Sequence, residues 1–524
     1  SIKFQRKEQK MQEISRRNFM KIGAAGALAL TASSASATQN TKDAKFDEEY
    51  DVVVIGSGFA GSMAALQALK RGKKVLMIEK MGRAGGNSVI NAGNMAVPNN
   101  EFQKAAGITD SKEAFIADCL KDGLNLNHVD LLGVIYDRAG DAFEYLKSIG
   151  VEFSGKVISA SGHSLKRAVQ AKNASGSGYI QPMHKAIEEN ANAVIKKRTK
   201  FDDFIVDDSG RVVGVKCREE YKFDPQLASD DRENKSGEVK FFKAKDGVIL
   251  AAGGYSSDKW FRAQQVPYLK DNIETVSQPG VTAGALIAAM KLGANPLQLS
   301  WIQLNPYTNP SEKGFGTSAL FSNHCANDYG LTVDPKTGKR FMNEHAGRKI
   351  KTEAIFKCMA ESENNDNYPV NICDQAAVDA NNPVYTSKGV EAGSIKKFNT
   401  LEELAKFYKI PLEPFLKTVA DFNGYVKAGS DPEFGKPLTK ADVGGIDISK
   451  APFYACQTSP KILYCMGGVQ INTKAQVIDA ASGEPIAGLY AAGEITGGVH
   501  GASKLGTMSM ADCMVFGMVA AENI

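Results

Sequence analysis

The chain has 524 residues, enough to bury a sizeable core and too many for one ordinary domain, so two are expected. Its 63 basic and 59 acidic side chains leave a net charge of only +4, which offers no electrostatic footprint for nucleic acid. The eight cysteines form no CxxC pair and no CxxCH haem-attachment motif, and no metal-ligand cluster is visible, so neither haem nor metal is expected.

The first segment reads as an address. Ser15-Arg16-Arg17-Asn18-Phe19-Met20-Lys21 is a twin-arginine pattern, followed by an apolar run from Ile22 to Leu30 and an A-x-A cleavage site at Ala35-Ser36-Ala37. The run is too short for a permanent membrane anchor. Residues 1–37 are therefore expected to be a twin-arginine signal peptide for export to the periplasm, with a polar linker over 38–48. Such signals carry proteins that fold before export, often with cofactor bound. Little NAD(P)H is available outside the cytoplasm, which favours a tightly held flavin reduced by another protein.

Asp51-Val52-Val53-Val54-Ile55-Gly56-Ser57-Gly58-Phe59-Ala60-Gly61 then predicts a buried strand, a tight turn and a helix start. A second apolar strand, Lys74 to Ile78, ends at Glu79. This is the dinucleotide-binding βαβ pattern, with its ribose-binding acid about 20 residues on. Gly56 permits the turn, Gly58 lets backbone approach a pyrophosphate, and Gly61 lets the helix pack on the strand. The helix N-terminus presents free N–H groups to the phosphates.

Further along, Gly82 to Ser88 and Asn91 to Met95 are small-residue loops that allow close approach to a flat ligand. Residues 111–148 read as helical, and 180–198 as a helix leading to a strand at 201–206. Strands are expected at 211–217, 239–244 and 247–254, the last ending in a double-glycine turn. Residues 257–455 have more Pro, Asn and Lys and irregular spacing, and read as an inserted second domain. The glycine-rich style returns at 456–524, with a short strand at 487–494 and an amphipathic helix at about 508–523.

Several motifs occur in order: the βαβ unit, Gly85-Gly86-Asn87-Ser88, Ala251-Ala252-Gly253-Gly254, Gly338-Lys339-Arg340-Phe341-Met342-Asn343-Glu344, Met466-Gly467-Gly468-Val469 and Ala492-Gly493-Glu494 through His500-Gly501. Together they resemble the flavoprotein subunits of fumarate reductases and succinate dehydrogenases, most of all soluble periplasmic flavocytochrome c fumarate reductases. The resemblance covers residues 48–524. It implies an α/β fold, a Rossmann-like FAD-binding domain (48–256 and 456–524) with an inserted α+β capping domain (257–455). It also implies two-electron chemistry at a carbon–carbon double bond.

By that resemblance, Gly56, Gly58, Ala60 and Gly61 hold the FAD pyrophosphate and Glu79 the ribose, with Lys80 beside it. Gly85, Gly86, Asn87, Ser88, Ala92 and Gly93 lie near the flavin ring, as do Ala252, Gly253 and Gly254. Gly493 and Glu494 grip the ribityl chain, and Ser509 and Met510 start the helix at the pyrimidine end, where a helix N-terminus stabilises negative charge. Membrane-bound relatives attach FAD through a histidine at the position of Asn87, so FAD is expected to be non-covalent here.

The family's acid is an arginine shortly after the R-F-x-N-E run, which is Arg348 here. Arginine is an odd acid, but its charge also stabilises a developing enolate. The groups that grip fumarate's two carboxylates are altered. The family's histidine before M-G-G falls on Leu463, the H-G-A-N-R arginine on Lys504, the H-P-T histidine on Asn305, and the Thr-Glu pair on Asn323-His324. A lysine does not replace a bidentate arginine fork without loss. Tyr307, Tyr464 and Tyr329 are candidates for stacking or hydroxyl donation, His324 and Asp328 for the proton relay, and His163 and His500 for the pocket lining. As many of these side chains serve a core as serve a site.

The expected activity is therefore FAD-dependent reduction of an α,β-unsaturated acid with at most one carboxylate. Arg348 protonates and Lys504 holds the carboxylate or carbonyl oxygen; Asn305, Tyr307, His324, Tyr464 and His500 line the substrate site. With no haem motif in the chain, electrons come from a separate cytochrome c or other carrier. The rival readings are fumarate reductase proper, a ketosteroid-like ketone dehydrogenase with a tyrosine acid or base, an L-aspartate-oxidase-like oxidase, and a flavin-binding electron carrier without its own substrate.

Overall fold

The structure, a computed structural model, describes residues 39–40, 45–158, 160, 162–269, 273–438 and 446–524. The signal peptide read over 1–37 lies outside the described residues. Among the described residues no helix is long and apolar enough to cross a membrane.

The run Val52-Val53-Val54-Ile55 is apolar on both faces, which suits only a strand covered on both sides. It lies in the strand Glu48–Ile55 and is fully buried. Val75–Ile78 pairs with it in parallel, Val52 opposite Val75 and Ile55 opposite Ile78. On its other side runs the last part of Glu238–Leu250, and beyond that Pro485–Ala491, both also parallel. The helix Phe59–Lys70 crosses from the first strand to the second and is buried over nearly its whole length. The sheet is thus a parallel, nucleotide-binding core with helices on it.

Three expectations are corrected here. Residues 180–198 are not one helix: Ser177–Glu188 is helical, and Ala193–Lys196 is a strand parallel to Val75–Ile78 at the sheet margin. The two strands expected at 239–244 and 247–254 are one, Glu238–Leu250. Its first half closes an antiparallel meander with Lys200–Val206 and Val212–Glu219, and its second half joins the parallel core. The last helix, Met508–Asn523, is not amphipathic in use. It is buried on almost every side, and Gly517 sits so close to the Phe59–Lys70 helix that a Cβ would lie 2.5 Å from the Ala60 carbonyl oxygen. The helical stretch 111–148 divides into Lys112–Asp122 and Val129–Ser148, between which Leu124 and Asn125 take left-handed conformations.

A second unit is built on an antiparallel sheet in the order Leu331–Val333, Val370–Asp374, Phe453–Gln457, Lys396–Phe398. The helices Leu401–Tyr408 and Leu412–Ala428 contribute Leu404, Phe415 and Phe422 to its own apolar core with Leu331 and Ile372. The large core of the first unit takes in Phe261, Leu286 and Ala289 from beyond residue 257, whereas Phe453–Gln457 belongs to the second sheet. Between the two units, Ile302–Asn305 and Lys461–Cys465 form an antiparallel ribbon with an irregularity between Gln303 and Leu304.

Candidate functional site

The cofactor half is a glycine cradle. Gly56 has φ +104°, and a Cβ there would lie 2.3 Å from the Ala251 carbonyl oxygen. A Cβ on Gly61 would lie 2.0 Å from the Gly56 oxygen, so only glycine fits where the helix meets the turn. Gly58 faces Ser88, whose Oγ accepts from the Phe59 amide at 2.9 Å and would be 3.0 Å from a Gly58 Cβ. Ser57 donates to Glu79 at 2.5 Å, Met81 N–H donates to the same carboxylate at 2.8 Å, and Gly85 N–H donates to Ser57 Oγ at 2.9 Å. Burial raises the Glu79 carboxyl above its ordinary range against these hydrogen bonds. A cavity beside it is lined by Gly56, Glu79, Lys80, Ala252, Gly280 and Thr282.

The remaining cofactor candidates differ in what holds them. Gly254 lies under Glu494, whose Oε1 would be 2.6 Å from a Cβ there and accepts from Cys465 N–H at 2.9 Å. Burial pushes the Glu494 carboxyl up to about 7. Gly493, at φ +78°, fits between Ala60 and Cys513. Asn87 Oδ1 accepts from Gln278 N–H at 2.7 Å and ties its loop to that segment. Gly86 and Gly253 face open space. Gly93 is required by the chain itself, since its Cβ would strike the Ser175 backbone, and Ala92 is exposed. Ser509 and Met510 sit in the first turn of the last helix. The strained turn, the cradle a Cβ would fill and the buried acid fit the adenosine and pyrophosphate of FAD.

The candidate substrate residues gather around the loop 498–506. Lys504 is buried, and its ammonium lies 5.1 Å over the Tyr464 ring. The ammonium makes no hydrogen bond or ion pair with the described residues, while the Lys504 carbonyl accepts from Gln303 Nε2 at 3.4 Å. Burial and the Arg348 charge pull the ammonium down to about 8. Tyr464 packs edge-on against His500 at 5.5 Å, and His500 Nε2 lies 3.2 Å from Asp512 Oδ2. Gln303 Nε2 donates to Ser503 Oγ at 3.0 Å, and Ser503 reaches Asp122 at 3.4 Å. Burial raises the Asp122 carboxyl, opposed by Arg348, Ser503 and Lys504. Arg348 is the first residue of the helix Arg348–Met359, and its Nε is buried without a hydrogen-bond partner among the described residues.

A second group lies on the other unit. His324, on a short π-helical stretch (Ser322–Asn327), stacks on Tyr385 and lies 3.7 Å from Asp328, which His345 also reaches at 3.2 Å. The two histidines overcome burial and hold the Asp328 carboxyl down to about 2. Arg340 bonds Glu344 at 2.9 and 2.7 Å and Asp431 at 2.9 Å, which braces the turn leading to Arg348. Tyr307 accepts from Lys351 at 2.8 Å, and Asn305 Oδ1 is spent on the Tyr307 amide at 3.0 Å. His163 bonds the Gly506 carbonyl at 2.6 Å and Arg167 at 2.8 Å.

The structure thus brings Lys504, Tyr464 and His500 together, with Arg348 within electrostatic reach. Asn305 and Tyr307 serve neighbouring backbone and Lys351, and His324 belongs with Asp328 and His345. Asp122, Gln303, Ser503 and Asp512 were not singled out from sequence. Only Asp512 carried a local signal, an acid inside an otherwise apolar final helix.

A parallel nucleotide-binding core, a glycine cradle with a buried acid and a buried lysine within electrostatic reach of Arg348 define an FAD-dependent oxidoreductase. The FAD binding domain family matches residues 51–510, and the chain belongs to that family. Among its relatives, an acrylate reductase flavoprotein subunit of Shewanella woodyi is 39% identical over 97% of this chain and 98% of that protein. A urocanate reductase of Eggerthella lenta is 34% identical over 91% of this chain and 74% of its own length. The open conformation of a flavocytochrome c3 fumarate reductase superposes with a TM-score of 0.75 at 30% identity, covering 91% of this chain and 78% of that one. A 3-ketosteroid-Δ4-(5α)-dehydrogenase from Rhodococcus jostii shares the fold, with a TM-score of 0.70 at 20% identity over 93% of this chain and 99% of that one.

Proposed function

We propose that the chain is a periplasmic reductase of the C=C bond of an α,β-unsaturated monocarboxylate. The observation that carries this reading is the pair of under-used cations: among the described residues the Lys504 ammonium meets only a tyrosine ring, and the buried Arg348 Nε has no hydrogen-bond partner. Buried donors without partners are rare unless a ligand completes them. Arg348, Lys349 and Lys351 also crowd the first turn of their helix, the positive end of its dipole, where cations are disfavoured unless an anion sits opposite.

FAD held by the Gly56–Gly61 cradle and Glu79 would, when bound and reduced, supply a hydride for the substrate double bond. Lys504 holds the substrate's carboxylate or carbonyl oxygen, and Arg348 stabilises the charge that develops beside it and delivers the proton to the α-carbon. Asp122 acts on both cations and Glu494 on Lys504, so a second substrate carboxylate at this pair is disfavoured. Leu463 is half-buried on the ribbon strand and gives the other end an apolar wall. The unit on the four-stranded sheet serves as the cap. Asn87 has no nucleophilic ring nitrogen, consistent with non-covalent FAD. The relatives named for acrylate and urocanate, each with a single carboxylate, support the substrate class.

Electrons come from a separate cytochrome c or other carrier of an anaerobic respiratory system. A tyrosine base, as a ketone dehydrogenase needs, is disfavoured at Tyr464, because burial raises its phenol far above the ordinary range. The test is anaerobic turnover of acrylate, methacrylate, cinnamate, urocanate and fumarate with reduced methyl viologen. A monocarboxylate turning over faster than fumarate is the expected result; fumarate as best substrate overturns the carboxylate count.

A further inference from the structure

Between the strands Val212–Glu219 and Glu238–Leu250 the meander does not turn tightly but makes an excursion over residues 220–237. Its short helix Asp230–Glu233 is braced from within. The Asp230 carboxylate accepts from the Tyr221 hydroxyl, from Asn234 Nδ2 at 2.7 Å and from the Asp224 amide at 2.9 Å. Arg218 fastens the base, donating to the Asn234 carbonyl at 2.6 Å. Nothing in the sheet requires such a detour.

The next residue, Asp231, points the other way, into the wall of the cavity that holds Glu79. Its side chain is 8% exposed. It lies 3.6 Å from Lys80 Nζ and 3.7 Å from Lys200 Nζ, and accepts from the Gly284 amide at 2.8 Å. Those partners belong to three separate segments: the end of the second core strand, the meander, and the start of the helix Gly284–Leu292. Burial works to raise the Asp231 carboxyl, yet Lys80, Lys200, Thr282 and the Gly284 amide together hold it below the ordinary range. On the outer side Arg232 stacks on the half-exposed Trp260 ring at 3.1 Å.

We propose that the excursion 220–237 is a clasp over the adenosine end of FAD, and that Asp231 is the residue that fastens it. The clasp makes cofactor retention depend on groups that touch neither the flavin ring nor the substrate. Asp231 is the anion that joins Lys80, beside the ribose acid Glu79, to Lys200 across the cavity. Without it Lys80 keeps its bond to Thr282 and Lys200 its ion pair with Asp202 at 2.8 Å, but no anion links the two across the cavity and the excursion loses its tie to the Gly284 amide. Arg232 on Trp260 holds the same clasp from outside.

The test uses the holoenzyme and reads release of flavin fluorescence after dilution into FAD-free buffer. Asp231→Asn keeps the shape and removes the charge, and should release FAD about tenfold faster, since such losses appear mainly in the off-rate. Trp260→Ala lies at the surface and should release FAD a few-fold faster without threatening the fold. The melting temperature of each apoprotein is measured alongside. Faster release with an unchanged apoprotein melt supports the clasp. Wild-type release in both variants, or faster release matched by a general loss of apoprotein stability, overturns it.

Discussion

Lys504 leans on Tyr464: the ammonium lies 5.1 Å over the ring, and no carboxylate reaches it within ion-pair distance among the described residues. An aromatic face attracts a cation while leaving its three N–H donors unspent. Lys504 is therefore held in place without being neutralised. Its pull-down to about 8 by burial and by Arg348 follows from the same arrangement.

A pH profile checks this directly. Lys504 binds a carboxylate only when protonated, and with a lowered pKa it is charged below about 8 and neutral above. On a monocarboxylate, kcat/KM, which reports groups of the free enzyme, should be steady below that value and fall about tenfold per pH unit above it. Lys504→Arg should push this alkaline limb out of the accessible range, because arginine stays charged. A profile with the same limb in both proteins would assign it elsewhere.

Arg348→Ala should lower kcat by a factor on the order of 10² to 10⁴ or more while leaving the FAD spectrum intact. Arg348→Lys should recover part of the charge stabilisation and little of the geometry. Single-turnover oxidation of the reduced holoenzyme by substrate separates this effect from slow electron delivery.

Substrate choice should move with two positions. The double variant Lys504→Arg with Leu463→His restores a guanidinium fork and an imidazole donor, and should raise fumarate turnover by about tenfold or more relative to the monocarboxylate. The measurement is the ratio of kcat/KM for the two acids. No change in that ratio would show that Asp122, not these two positions, sets the carboxylate count.

The bracing group behind Arg348 carries a stability prediction. Arg340 is sandwiched between Phe422 and Phe434 and pairs with Glu344 and Asp431, all three ionised side chains being fully buried. Glu344→Ala leaves a buried guanidinium short of its partner and should cost about 3–5 kcal/mol, read as a lowered denaturant midpoint. Burial works against the Glu344 carboxylate, but Lys436 and Arg340 hold its folded pKa below 4.5. Its stabilisation is present above that value and is lost as pH falls through the folded pKa.

The nucleotide-binding half was legible because its signals are local. Gly56, Gly58 and Gly61 fall in one turn, and the strands Glu48–Ile55 and Val75–Ile78 are apolar without interruption. Ala193–Lys196 was not legible. It is four residues long, Val194 is partly exposed, and only its parallel pairing with Val75–Ile78 makes it a strand. In the site, Arg348 and Lys504 came from motif spacing. Asp122 could not, because Ser503, its bonded neighbour, lies 381 residues away. Asn305 was expected at the substrate, but its side-chain oxygen caps the next turn instead. Such local bonding by asparagine competes with any ligand role.

The packing of Met508–Asn523 on Phe59–Lys70, with Pro485–Ala491 beside Glu238–Leu250, sets an order of events during synthesis. The candidate cofactor site is made of segments from opposite ends of the described chain, with Ala60 and Gly56 translated long before Glu494 and Cys513. While the ribosome is still adding the second unit, Glu238–Leu250 lacks its parallel neighbour Pro485–Ala491, and Phe59–Lys70 lacks the helix Met508–Asn523 that packs on it. The four-stranded sheet, by contrast, closes on itself once Phe453–Gln457 has emerged. The nucleotide domain is therefore complete only once the last strand and helix have been made, and a chain shortened by its final helix is expected to emerge with a folded cap and an open nucleotide domain.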